Sequence, residues 1–113
     1  MDWRKRVEDA LATAEAARAR GNEGMARVCA RRAAGWTVQA YLEKQGIDLQ
    51  TISVIKHMQY LLAQEPLASQ NRTVLEHMLV PKQKGDLESD SYFPLDVDLV
   101  AEARQLITAL FPD

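Results

Sequence analysis

The chain has little of what small chemical sites are usually built from. A single cysteine, Cys29, rules out an internal disulfide framework. It lies in an apolar stretch, where a small buried hydrophobe is the ordinary role. Two histidines and one cysteine do not furnish a closed zinc site, and no Cys pair, His-Glu-x-x-His, Gly-x-Ser-x-Gly or glycine-rich phosphate loop is present. The expectation is therefore neither metal nor cofactor. No apolar run approaches the roughly 20 residues that cross a bilayer. The opening Met1-Asp2-Trp3-Arg4-Lys5-Arg6 has no apolar stretch after its charges, unlike a signal peptide. Both point to a cytoplasmic chain without membrane attachment, in which the sequon Asn71-Arg72-Thr73 is a chance match. A net charge of −2 gives no overall basic signature for nucleic acid.

What is present is ordinary globular material. The 113 residues, 47% hydrophobic and 27% charged, suit one domain over 1–113 with one core. Charge is uneven. Residues 1–46 hold nine Lys/Arg against six Asp/Glu, and residues 47–113 hold five against ten, so the halves carry +3 and −5. Such a split fits either a self-complementary surface or helix faces that simply differ.

Apolar spacing predicts helices throughout. Trp3, Val7, Ala10, Leu11, Ala14 and Ala17 make one stripe over about Asp2 to Arg20, and Gly21 ends it. Asn22 caps a second helix running to Gln45 and stopping at Gly46. Met25, Val28, Cys29, Ala33, Trp36 and Ala40 point one way, and further alanines widen the face. A helix apolar over most of its girth belongs in the middle of a bundle. The two-residue link makes the first pair an antiparallel hairpin. A third helix starts near Ser53 with Ile55, Met58, Leu61 and Leu62 inward, and a short fourth is capped by Ser69 and carries Val74, Leu75, Met78 and Leu79. Residues 81–95 have the composition of a long loop. Asp96 then caps a last helix, with Asp98 in its first turn and Val100, Ala103, Ile107, Leu110 and Phe111 buried. The fold class is all-α, an up-and-down bundle of four to five helices.

Arg72-Thr-Val-Leu-Glu-His77 is the most chemical constellation. Arginine holds phosphate and histidine moves protons near neutral pH, which together suit RNA cleavage. On a straight helix, however, five residues separate two side chains by roughly 140°. The two share a site only across a helix break or between subunits; otherwise they are a surface arginine and a half-buried histidine. His57 reads as a ligand or as a packing residue. Arg27 and Arg31, one turn apart, read as a phosphate patch or as a solvated face, the second being preferred. Tyr92-Phe93-Pro94 offers aromatics that stack on a base or pin the loop. Gly35 inside a helix costs about 1 kcal/mol relative to alanine, which implies close contact with another helix, preferably across a dimer.

Residues Ala26 to Gly46 resemble the second helix of the HEPN family, the higher-eukaryote and prokaryote nucleotide-binding domain. The match falls on Ala33, Ala34, Val38, Ala40, Leu42 and Gly46. His57 with Leu61-Leu62 is similar to the family's third-helix histidine, and Tyr92-Phe93-Pro94 to its Tyr-Pro element. The resemblance implies a helical homodimer that sits beside a minimal nucleotidyltransferase, as in prokaryotic toxin–antitoxin pairs. It implies nucleotide contacts at His57, Arg27, Arg31 and Tyr92. In nuclease members it also implies RNA cleavage without metal, here through Arg72 and His77. The family's polar positions are occupied by Gly35, Trp36, Gln39, Lys56 and Met58, and Thr73 follows Arg72 where the nuclease motif usually has asparagine. These departures favour a binding module over a ribonuclease, with both readings open.

Overall fold

In the computed structural model, which describes residues 2–64, 67–79 and 97–112, five α-helices and no strands are found among the described residues. They are α1 (Trp3–Ala19), α2 (Glu23–Lys44), α3 (Val54–Leu62), α4 (Ser69–Met78) and α5 (Leu99–Leu110).

The hairpin is closed by local chemistry. Asp2 caps α1 through the Arg4 amide at 2.9 Å, and Asn22 caps α2 through the Met25 amide at 3.1 Å. Gly21 takes φ +81°, which lets the Asn22 amide reach back to the Ala17 carbonyl and its own amide to that of Arg18. Gly46 repeats the motif at the end of α2, where the Ile47 amide returns to the Leu42 carbonyl. Both stops fall where the sequence places them.

Between the two helices the contact is alanine on alanine. Ala10, Ala14 and Ala17 of α1 and Ala26, Ala30 and Ala33 of α2 are all buried. Short side chains bring the backbones close and leave the filling to Val7, Leu11, Val38 and Leu42. Each such fully buried large side chain contributes roughly 1.5–3 kcal/mol. Helix α2 packs against α1, α3 and α5, and so occupies the centre of the bundle. Leu61, Val74, Leu75, Met78, Leu99, Val100, Ala103, Leu106 and Leu110 complete the same core from the other helices.

Several local expectations need correction. Ser69 is the first residue of α4, and its cap is Ala68, which has no side-chain oxygen to offer. Asp98, not a first-turn residue, is the cap of α5 and accepts from the Ala101 amide at 3.1 Å; Asp96 lies outside the described residues, as does the segment 81–95. Met25 points outward, 42% exposed, while its neighbour Ala26 in the same turn is fully buried. Trp3, Trp36, Ile107 and Phe111 are half-buried. Gly35 has a partner within the chain. A methyl group there would meet Val54 of α3, lying only 2.8 Å from its Cγ1, so the missing side chain is the notch in which α3 begins.

Candidate functional site

Helix α4 carries the two residues of the Arg-x4-His pattern, and different neighbours take them. Arg72 Nη1 donates to the Leu62 carbonyl at 3.3 Å, reaching back to the last residue of α3. That carbonyl is among those a helix end leaves without an intrahelical partner, so the guanidinium acts as a cap for α3. His77 turns to α5. Its Nδ1 lies 2.8 and 3.0 Å from the two Glu102 carboxylate oxygens. The carboxylate accepts, so Nδ1 carries the proton and Nε2 is the free edge of the ring. Both side chains are mostly buried, 28% exposed for His77 and 19% for Glu102. An imidazole oriented by a carboxylate is the arrangement of a proton-transfer group. Within one chain Arg72 and His77 are thus not brought together, as their 140° separation on an unbroken helix requires.

His57 is buried at 3% exposure, and its Nδ1 donates to the Ser53 carbonyl at 2.8 Å. It packs between helices and presents almost no surface to a ligand. Tyr92 lies outside the described residues. Arg31 is half-buried, and Arg27 is buried at 6% exposure, which corrects the preference for a solvated face at that position. A carboxylate one turn back stands beside it: Glu23 Oε2 lies 3.8 Å from Arg27 Nε.

Glu23 belongs to a charged knot that joins three helix ends. Arg18, in the last turn of α1, makes a two-pronged contact with Glu23, Nε to Oε1 at 3.0 Å and Nη2 to Oε2 at 2.8 Å. Its Nη1 lies 3.1 Å from Asp98 Oδ1, on the cap of α5. The hydrogen bonds that Arg18 donates to Glu23 outweigh burial and raise the Arg18 pKa. The Arg18 hydrogen bond, against some burial, holds Glu23 below its ordinary 4.5. Burial pushes Asp98 up, but the Ala101 amide and Arg18 together bring it below its ordinary 3.8. A carboxylate whose pKa is lower in the folded state stabilises the fold above its ordinary pKa. That contribution disappears as pH falls through the folded value. The melting temperature should therefore hold from pH 7 to about 5 and decline below about 4.5. In Arg18→Leu the part of that decline due to Glu23 and Asp98 should be lost, and melts at pH 6 and pH 3.5 of both proteins check it. Equal acid sensitivity would remove Arg18 as the cause.

Two depressions adjoin these elements. One, of about 610 Å3, is a wide groove between α4 and α5, bordered by Gln70, Arg104, Gln105 and Thr108 over Ala101 and Ala109. Arg104 also reaches Glu15 of α1 at 2.8 Å. The other, of about 330 Å3, is a more enclosed cleft lined by Gln45, Gln64 and Asn71 with Leu42, Leu61 and Leu110, the Gln64 amide donating to the Tyr60 carbonyl at 3.2 Å. Among the described residues no group of three or more His, Cys, Asp or Glu side chains is placed to hold a metal ion, and no helix is long and apolar enough to cross a membrane.

Sequence reasoning missed Glu102 and the Arg18–Glu23–Asp98 knot. Arg18 and Glu23 straddle the Gly21-Asn22 turn, and that spacing was a usable signal. Glu102 lies 25 residues from His77, and no local pattern points to it. Compared with protein-family models, with curated proteins and with solved structures, the chain finds no match.

Proposed function

We propose that this chain is a non-enzymatic binding module of the HEPN kind. It forms a homodimer, engages a partner protein, and takes a nucleotide as a small ligand. By the same resemblance the partner is a minimal nucleotidyltransferase, and the setting is a prokaryotic cytoplasm and a toxin–antitoxin pair. One observation carries the preference for binding over cleavage. Within one chain Arg72 is engaged at the Leu62 carbonyl while His77 faces Glu102, so the guanidinium and the imidazole of a single copy serve two different helix junctions. Cleavage without metal needs both on one phosphate, a cation for the developing charge and a base for the 2′-hydroxyl. Binding needs neither.

Two further features suit the reading. The α4–α5 groove is broad, with small residues on its floor and amides on its rim, a shape that fits a protein surface better than a small molecule. The second cleft is lined by the amide side chains of Gln45, Gln64 and Asn71 together with leucines, polar and apolar groups of the kinds that hold a nucleobase.

The ribonuclease reading draws on one observation of its own, the imidazole of His77 held by the Glu102 carboxylate through Nδ1. The two readings part in one experiment. Purified protein and its His77→Ala variant are incubated with structured RNA in EDTA. The module reading expects no cleavage by either above a protein-free blank. Cleavage by the wild type that His77→Ala reduces a hundredfold or more, the scale of a lost general base, would establish the nuclease instead. Affinity capture from the native host should then recover a nucleotidyltransferase, and its absence would remove the named partner.

A further inference from the structure

The outer face of the α1–α2 hairpin carries a groove that neither site above uses. Its first part, about 250 Å3, is lined by Trp3, Arg6, Trp36, Gln39, Ala40 and Glu43. It continues past the same Arg6 and Trp36 into a second part of about 240 Å3 that ends at Cys29 and Arg32. Trp36 is half-buried, and the Arg6 guanidinium lies 4.8 Å from the centre of its ring. The first part is lined mostly by polar groups and the second mostly by apolar ones, and the tryptophan and arginine they share are residue types enriched at the centre of protein interfaces.

The order of residues along α2 identifies what fits. Arg32 and Glu43 are eleven residues apart, which is about three turns and roughly 16 Å along the axis. At 100° per residue they lie within about 20° of each other, with Trp36 and Gln39 between them in the same sector. The stripe runs from a positive end through an aromatic middle to a negative end. Both charged side chains are exposed, and neither forms an ion pair among the described residues. A two-fold axis passing between Trp36 and Gln39 reverses the stripe. It lays Arg32 of one copy against Glu43 of the other, twice, and brings the two Trp36 rings together at the centre. Closed two-fold pairing of this sort needs a surface that complements its own rotated image.

We propose that two copies of this chain dock through the groove side of α2, antiparallel about an axis between Trp36 and Gln39, with reciprocal Arg32–Glu43 ion pairs. The available area is sufficient. A 22-residue α2 is about 33 Å long, and two helices abreast span about 20 Å, giving a face of roughly 650 Å2. Standard interfaces cover about 800 Å2 per partner, so the hairpin face with its long rim side chains reaches the scale of a specific dimer. The inference rests on the homodimer in the reading above and assigns its surface, leaving the α4–α5 groove to the partner protein.

Charge reversal tests it. Arg32→Glu and Glu43→Arg each replace two attractive contacts by two repulsive ones, at exposed positions where the fold is not at stake. Sedimentation equilibrium of the full chain should give the mass of two chains for the wild type. Each single variant should raise the dimer dissociation constant roughly tenfold or more. The double variant Arg32→Glu/Glu43→Arg rebuilds the pairs with their signs exchanged, and should return to within about threefold of wild type. Circular dichroism of all three checks that they stay folded. A wild type that is monomeric at 100 μM concentration overturns both the dimer and its surface. Dimers unaffected by the single reversals overturn the surface alone and leave the homodimer standing. Singles that dissociate and a double that fails to recover overturn the antiparallel register. None of these outcomes depends on the RNA assay or on the partner capture.

Discussion

Replacing Gly35 with leucine should unfold the centre of the bundle. Position 35 is buried in the middle of α2, and Val54 at the start of α3 occupies the space a side chain would need, with both its methyl carbons within 3.0 Å of an added Cβ. Forcing extra carbons into a packed core costs about 1–3 kcal/mol, and leucine brings four where even the first does not fit. A loss of about 3 kcal/mol or more is expected. That is a large share of the roughly 5–15 kcal/mol that holds a domain together. Melting followed at 222 nm should fall by about 10–20 °C. Gly35→Ala sharpens the argument. Alanine gains about 1 kcal/mol in helix propensity, which the Val54 contact should cancel or reverse. Because Val54 Cβ itself stands in the way, Val54→Ala does not relieve the clash, whereas Val54→Gly does. Gly35→Ala should thus be less damaging in a Val54→Gly background than in the native one. A Gly35→Leu protein that melts with the wild type would show that α2 and α3 do not meet there. If such a protein stayed folded but lost half its mass, the glycine would belong to a contact between copies.

Phe111→Ala should lower stability by about 2 kcal/mol, less than the 3–5 kcal/mol of a fully buried phenylalanine because this ring is half-exposed. The start of α1 and the end of α2 converge on it. Trp3, at the first turn of α1, lies 4.5 Å away between ring centres, and Tyr41, near the end of α2, meets it edge-on at 6.3 Å. Arg4 and Lys44 place their charges 5.4 Å from the same ring. Aromatic pairs add about 0.5–1.5 kcal/mol each beyond burial, and exposed cation contacts about 0.5–1. Phe111→Leu keeps most of the apolar area and removes only the ring chemistry, so it should lose about 1 kcal/mol. Urea denaturation should show a lower midpoint with the slope preserved. Equal midpoints for the alanine variant and the wild type would mean that the ring contributes nothing to holding the end of α5.

The helices and their stops were legible because short-range chemistry writes them. Asp2, Asn22 and Ser53 each cap the helix that follows, and Gly21 and Gly46 each take the positive φ that a turn-ending glycine permits. The central place of α2 could be read from apolar residues spread around its girth. The cap of α5 was misassigned by two residues because Asp96 and Asp98 are equally good capping side chains, and only the course of the chain chooses between them. The Gly35 notch was legible as a close approach but not as to whose helix fills it. Spacing along one helix says nothing about whether the neighbour belongs to the same molecule. The candidate site was the least legible part. His77 was visible as a histidine, but its meaning depends on Glu102, and Arg72 was visible as an arginine without any sign that a carbonyl on α3 would take it. Such long-range partners follow from packing, which one sequence does not spell out.

The glycine-closed turn between α1 and α2 also has a kinetic meaning. Bringing those two helices together requires closing only Arg20 to Asn22, whereas docking α5 on α2 closes a stretch of more than fifty residues. Closure entropy grows with the logarithm of the stretch closed, at about 0.6 kcal/mol for each doubling, so the second step faces a penalty several doublings larger. The alanine-lined pair is the part of the molecule that can assemble with the least ordering of chain, and the remaining helices then find a surface already made.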